Sequence, residues 1–278
     1  LESLVAGLKA SLAGTPLPGH VLSVDAPGIA RVDLVDATPI GVNVRSTVGT
    51  YSGVLDDLRR AFATLPDAKE QGLKAGAFSY NTGSLRCPTC DGTGAIDLDV
   101  QFLPDVTIPC PDCRGARYAP AARDVPLGGL SLPDLMALDV RAALRACDAI
   151  PPVRNRLRIL DELGLGYLTL GEQTPALSGG EAQRLKLAEE MARAQDDALF
   201  VFDEPTIGLH PLDVQTLLRV FQRLLDRGAT LVVIEHDLDL IRNADCVLDL
   251  GPGGGDQGGR VVAFGTPEQL AHDPASPT

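Results

Sequence analysis

Two Cys-x-x-Cys pairs, Cys87-Pro-Thr-Cys90 and Cys110-Pro-Asp-Cys113, stand nineteen residues apart and constrain this chain more than any other feature. Thiolates are soft donors that suit tetrahedral Zn²⁺. Four of them close its coordination shell, so the spacing predicts a structural zinc site with no open catalytic position. Each pair runs into glycine, in Cys90-Asp-Gly-Thr-Gly94 and Cys113-Arg-Gly115, where a small residue lets backbone N–H groups turn towards sulfur. From Lys74 to about Tyr118 the chain is loop-rich and poor in long apolar runs. Such a segment buries little core and needs a metal to hold its shape. Four unrelated free thiols would not account for the doubled motif. Cys147 and Cys246 stand alone in apolar segments and are expected to be buried small hydrophobes. Disulfides are not expected, because the chain reads as cytosolic.

The 278 residues suffice for one large domain or two smaller ones with their own cores. No apolar run approaches bilayer length, and no basic segment followed by an apolar one opens the chain. Residue 1 is Leu rather than Met, as expected of a fragment, a processed chain or an incompletely represented one. A net charge of −13 argues against a generally basic nucleic-acid binder, so any DNA surface must be local. Between Lys74 and Arg123, five basic residues are balanced by five aspartates. Arg141, Arg145, Arg154, Arg156 and Arg158 form a more lopsided cluster with Asp148 as the acid inside it. That cluster reads equally as a solvated helix face or as a phosphate-contacting surface.

Leu4, Leu8 and Leu12 predict a helix over 1–13 ended by Gly14 and Pro16. Arg31–Asp36 alternates like a strand, and Thr38-Pro-Ile-Gly41 breaks it. Helical spacing returns over 51–65 and again within 131–166. After Leu177 the pattern is regular: helix 178–194, buried strand 198–203, helix 211–227, buried strand 230–235, and short strands at 247–250 and 260–264 around a glycine-rich stretch, 251–259. Strands apolar on both faces that alternate with helices predict an α/β fold with a mostly parallel, covered sheet.

Asp203 and Glu204 end the strand Phe200-Val-Phe-Asp203, where ligands gather in open α/β sheets. An Asp there can hold Mg²⁺, and the adjacent Glu can orient an attacking water. Leu177-Ser178-Gly179-Gly180-Glu181 opens a helix with capping-box spacing, and its double glycine admits an anion close to backbone N–H groups. His236 follows the next buried strand, in Val-Ile-Glu-His-Asp, where an imidazole could reach a γ-phosphate; alone it would read as structural, but its distance after Phe200–Pro205 favours function.

In this order and spacing the three elements resemble the ABC-type ATPases. The resemblance implies that Asp203 serves Mg²⁺, that Glu204 is the catalytic base and that His236 contacts the γ-phosphate of ATP. It also implies that Ser178, Gly179, Gly180 and Glu181 close over ATP held by the opposite nucleotide-binding unit. Gly208-Leu209-His210 matches the segment that crosses the dimer interface in that family. No GxxxxGK[ST] phosphate loop occurs, and none of Lys9, Lys69, Lys74 and Lys186 follows a glycine. The chain is therefore expected to begin just downstream of that loop, to bind ATP weakly and to hydrolyse almost none alone.

The pattern CxxCxGxG also resembles the zinc repeats of Hsp40-type chaperones, which carry four such repeats and a J-domain; here there are two repeats and no J-domain. The span from about Pro39 to Leu270 instead resembles the C-terminal half of the UvrA family, the damage sensors of the bacterial excinuclease ABC. The carrying residues are Thr38–Gly41, Thr50-Tyr-Ser-Gly53, Phe78-Ser-Tyr-Asn81, Phe102–Val106, Gly164–Leu168 before LSGGEAQR, and Ile234–Leu238 through Leu250–Gly254. One departure is Ala37, where that family usually has a Gln linking Mg²⁺ and the γ-phosphate to the inserted domain; the change points towards a divergent paralogue. The resemblance implies a cytoplasmic, ATP-regulated sensor of damaged double-stranded DNA in nucleotide excision repair. Such a sensor would act as a homodimer, with an N-terminal ATPase half and the second excinuclease component (UvrB) as partners, and without a membrane. Its cofactors would be structural Zn²⁺, ATP and Mg²⁺. The expected layout is an N-terminal ATPase part at 1–72, a zinc module at 73–122, a helical segment at 123–170 and the ATPase core at 171–278. The alternatives are a resistance-type paralogue that clears compounds from DNA and an Hsp40-like protein-binding module.

Overall fold

The computed structural model describes residues 1–41, 43–98, 106–191, 197–207, 209, 211–251, 259–276 and 278. Most of Phe102–Val106, Gly208 and His210, and the glycine-rich stretch from 252 to 258 thus lie outside the described residues. In chain order the first elements are α1 (Leu4–Ala13), β1 (Arg31–Val35), α2 (Val48–Tyr51), α3 (Val54–Phe62), α4 (Pro66–Glu70), β2 (Ala95–Leu98) and β3 (Val106–Pro109). Then come α5 (Leu132–Ala137), α6 (Val140–Ala146), α7 (Pro151–Glu162), α8 (Gly179–Met191), β4 (Ala198–Asp203) and α9 (Pro211–Asp226). The chain continues through β5 (Thr230–Ile234), α10 (Leu238–Ile241), β6 (Val247–Gly251), β7 (Arg260–Gly265) and α11 (Pro267–Leu270). Two units result: Leu1–Asp36 with Gln195–Thr278, and Ala37–Ala194. Among the described residues no helix is long and apolar enough to cross a membrane.

The first unit bears out the α/β class with a parallel sheet. Among the described residues that sheet has three strands in the order β1-β4-β5, all parallel. β4 is central, and Ala198 to Phe202 are buried on both faces, as the unbroken apolar run requires. On one face, Val5 and Leu8 of α1 pack with Val32, Leu199 and Val201. Elsewhere in this unit the Phe221 ring of α9 lies 4.6 Å from that of Phe202.

Three details differ from the sequence reading. β5 was expected to be buried, yet Thr230 is exposed and Leu231–Ile234 are half-buried, because β5 is the last strand of the described sheet. β6 and β7 pair antiparallel with each other rather than joining the parallel sheet. Leu248, Leu250 and Phe264 of this ribbon are exposed. Cys246, expected inside, is also exposed, whereas Cys147 is buried as expected.

The second unit is helical around a small metal-type module. The Arg156 guanidinium bridges α7 to α3, donating to Asp57 Oδ2 at 2.7 Å and to the Ser52 carbonyl at 3.0 Å. Arg141 pairs with Asp161 at 2.8 Å, and Arg154 donates to the Asp148 carbonyl at 3.1 Å. Three members of the arginine cluster are thus engaged in holding helices and turns together. Arg145 and Arg158 remain exposed.

Candidate metal centre and nucleotide edge

The four cysteines converge. Sγ of Cys87 and Cys110 lie 3.9 Å apart, those of Cys90 and Cys113 lie 3.6 Å apart, and all four fall within 4.8 Å of one another. A tetrahedral zinc with Zn–S near 2.3 Å requires sulfur separations of about 3.8 Å. The donor set therefore fits one such ion.

Local backbone makes this convergence. The antiparallel ribbon β2–β3 joins the two pairs, with Ala95 opposite Pro109 and Leu98 opposite Val106. After each pair the chain reverses through left-handed residues, Asp91 (φ 50°) with Gly92 (φ 79°) and Arg114 (φ 51°) with Gly115 (φ 87°). The Gly94 N–H donates to Cys90 Sγ at 3.3 Å, as the glycine spacing anticipated. The middle residues of the two pairs meet, with Thr89 donating to Asp112. Burial opposes ionisation of Cys90, but the Gly94 N–H and the neighbouring thiols outweigh it and bring this thiol down to about 7. Burial pushes Cys113 up to about 12. Four such crowded sulfurs resist ionising together without a cation among them, and a divalent ion held there would supply that charge.

Residues far off in the sequence anchor the module. Arg45 donates to the Asp91 carbonyl at 2.6 Å and pairs with its carboxylate at 3.1 Å, and Arg86 reaches the other carboxylate oxygen at 3.0 Å. Arg117 is buried, donates to the carbonyls of Val44 and Gly92, and lies 5.1 Å over the Tyr80 ring. Sequence reasoning passed over Arg45, met Tyr80 only within Phe78-Ser-Tyr-Asn81 and saw Arg117 only as a charge, because no local spacing links partners 46 and 73 positions apart.

Gly92 is the tightest point. A Cβ there would sit 1.7 Å from the Tyr80 carbonyl oxygen, at a φ that L side chains rarely adopt. Gly92→Ala is expected to cost roughly 3 kcal/mol or more in a urea titration. Gly72→Ala, with a similar φ of 66° and open space around it, should cost only about 1–2 kcal/mol. Equal midpoints for the two variants would contradict this packing.

The α8 N-terminus carries the expected capping box. Glu181 Oε2 accepts from the Ser178 N–H at 2.7 Å and from its hydroxyl at 2.8 Å, while Ser178 Oγ accepts from the Glu181 N–H at 3.4 Å. Tyr167 donates to the other carboxylate oxygen. Burial works against the charged carboxylate, but these donors hold Glu181 below its usual range. Burial and the bond to Glu181 push Tyr167 up to about 12. The carboxylate is therefore engaged in shaping the turn. Gly179 abuts Ala37, where an added Cβ would lie 3.3 Å from the Ala37 methyl, and Lys186 donates to Thr38 at 2.7 Å.

In the first unit Asp203 closes β4 in register with Ile234 of β5. Glu204 follows in a left-handed conformation (φ 47°), and its N–H still reaches the Ile234 carbonyl at 2.9 Å. That shared edge brings His236 Nε2 to 3.6 Å from Glu204 Oε1, with the imidazole 84% exposed. A carboxylate and an accessible imidazole at the C-terminal end of a parallel sheet suit an anionic ligand and a polarised water.

No family profile matches the chain. It is 45% identical over 261 residues to UvrABC system protein A of Thermus thermophilus, covering 92% of this chain and 27% of that protein. The protein of the same name from Synechocystis is 46% identical over 261 residues, covering 94% and 27%. Among solved structures, UvrA2 from Deinococcus radiodurans matches all of this chain and 34% of its own, with a TM-score of 0.86 and 41% identity. The chain thus spans about a quarter of the length of these curated relatives. None of these names favours an Hsp40-like module.

Proposed function

The chain belongs to the UvrA family, and from that premise we propose that it forms a nucleotide-binding region of an ATP-regulated DNA-damage sensor in nucleotide excision repair. The observation that carries this reading is the occurrence in one chain of a four-sulfur cluster and the Glu204–His236 pair at a parallel sheet edge. In the complete protein Asp203 would serve Mg²⁺, Glu204 would orient water and His236 would contact the γ-phosphate. The turn Ser178–Glu181 would close over ATP held by an opposite unit. The β- and γ-phosphates need a phosphate loop that this sequence lacks, so the chain alone should turn over little ATP. The four cysteines would hold zinc and keep a module near 73–122 in shape, so that its loops face DNA. A second copy, an N-terminal ATPase half, UvrB and damaged duplex are the partners this reading requires, in the cytoplasm.

Binding of the full-length protein to damaged and intact duplex, titrated against salt, tests the reading. Tighter binding to damaged duplex is expected, with affinity falling steeply as salt rises, because cationic contacts release phosphate counterions. Salt-independent binding that favours unfolded polypeptide over duplex would overturn it.

A further inference from the structure

Glu235 lies between β5 and His236, and its carboxylate collects donors from two separate turns. Oε1 accepts from the Thr206 N–H at 2.8 Å and the Thr206 hydroxyl at 2.5 Å. Oε2 accepts from the His236 N–H at 2.7 Å and the Asp237 N–H at 3.0 Å. An ionised carboxylate offers about four lone-pair directions and no donor, so these four donors fill it. Thr206 lies two residues after Glu204, in a turn closed by the Ile207 N–H bonding the Glu204 carbonyl at 3.1 Å. Downstream, Asp237 Oδ1 caps α10 through the N–H groups of Asp239 and Leu240. The backbone of His236 is thus pinned from both sides while its ring stays exposed.

We propose that Glu235 is a positioning residue that holds the His236 turn against the Glu204 turn, so that base and imidazole meet the same phosphate. The proposal rests on the reading of this edge as a site of nucleotide hydrolysis. The geometry explains why an acid is needed here. Glutamine has the same size but would point its NH₂ at one of the two donor pairs, setting donor against donor. Glu235→Gln should therefore be nearly as damaging as Glu235→Ala, which is not expected of a residue that merely fills space.

The test is steady-state ATP hydrolysis by the full-length protein carrying a phosphate loop. Glu235→Gln is expected to lower kcat about 100-fold, the cost of misplacing reacting groups by about 1 Å, with KM for ATP within about threefold of the parent. Thr206→Val, which removes one donor and keeps the N–H, should lower kcat roughly tenfold. Glu204→Gln in the same protein separates the two ideas. If Glu204→Gln leaves turnover intact, the hydrolysis reading fails. If Glu204→Gln abolishes turnover while Glu235→Gln is near normal, or loses kcat and KM alike, the positioning role is overturned. Should Glu235→Gln not fold, Thr206→Val decides, and an unchanged kcat there ends the proposal.

Discussion

Replacing Cys90 or Cys113 with serine is expected to strip the chain of a single zinc ion and to unfold the segment around it. The sulfurs stand 3.6–3.9 Å apart in their close pairs, and the arginine anchors hold the module in place by bonding oxygen acceptors rather than the sulfurs. Among the described residues the ribbon β2–β3 pairs four residues a side, and an isolated two-stranded ribbon is marginal at best in water. Structural zinc in comparable peptides contributes roughly 10–16 kcal/mol of apparent binding free energy, far above what one Cys→Ser change costs by packing. Native mass spectrometry should find one zinc per parent chain and none in the variants. Hydrogen exchange should show protection lost at the Cys87 N–H, bonded to the Arg117 carbonyl, and at the Cys110 N–H, bonded to that of Gly94. The amides of β4, in the other unit, should keep theirs. A zinc-free parent, or variants that retain the metal, would remove the metal centre from the proposal.

Glu204→Gln is the second large effect. Glu204 occupies a left-handed turn at the end of β4, and strained positions of this kind persist where surrounding structure over-determines them. The Ile234 carbonyl and the turn to Ile207 supply that determination. Glutamine keeps the shape and removes the charge that would polarise water, so binding and folding should survive while catalysis does not. In full-length protein with a phosphate loop, ATP turnover should fall by about 10²–10⁴-fold, the range for a general base. ATP affinity should change little. Unchanged turnover would show that Glu204 is an ordinary strand-end carboxylate and His236 an incidental neighbour.

The parts of this site that were legible in advance are those whose chemistry is written over short spans. Two Cys-x-x-Cys pairs with trailing glycines state a four-sulfur cluster, because each pair is built within one tight turn. Ser178 and Glu181 state a capping box for the same reason, and the geometry found is the reciprocal one. The buried run Ala198–Phe202 states a central strand, which β4 is.

What tertiary structure decided is which distant groups those local pieces meet. Arg156 reaches Asp57 across 99 positions, and Arg141 and Arg154 are also engaged. In a cluster that read equally as phosphate surface or solvated face, these three arginines thus also tie neighbouring helices and turns together, while Arg145 and Arg158 are exposed. Arg45 and Arg117 became anchors of the cysteine module without any motif to announce them, and Tyr80, quoted only within Phe78-Ser-Tyr-Asn81, joined them. The apolar run of β5 looked like a core strand, yet its position last in the described sheet leaves it half-covered, and the neighbourhood of Cys246 placed that thiol outside. Periodicity and spacing determine what a segment must become, since they act through turns and pleats a few residues long. Strand order, burial and long-range ion pairs depend on where the whole chain returns to itself, and one linear pattern is compatible with several such returns.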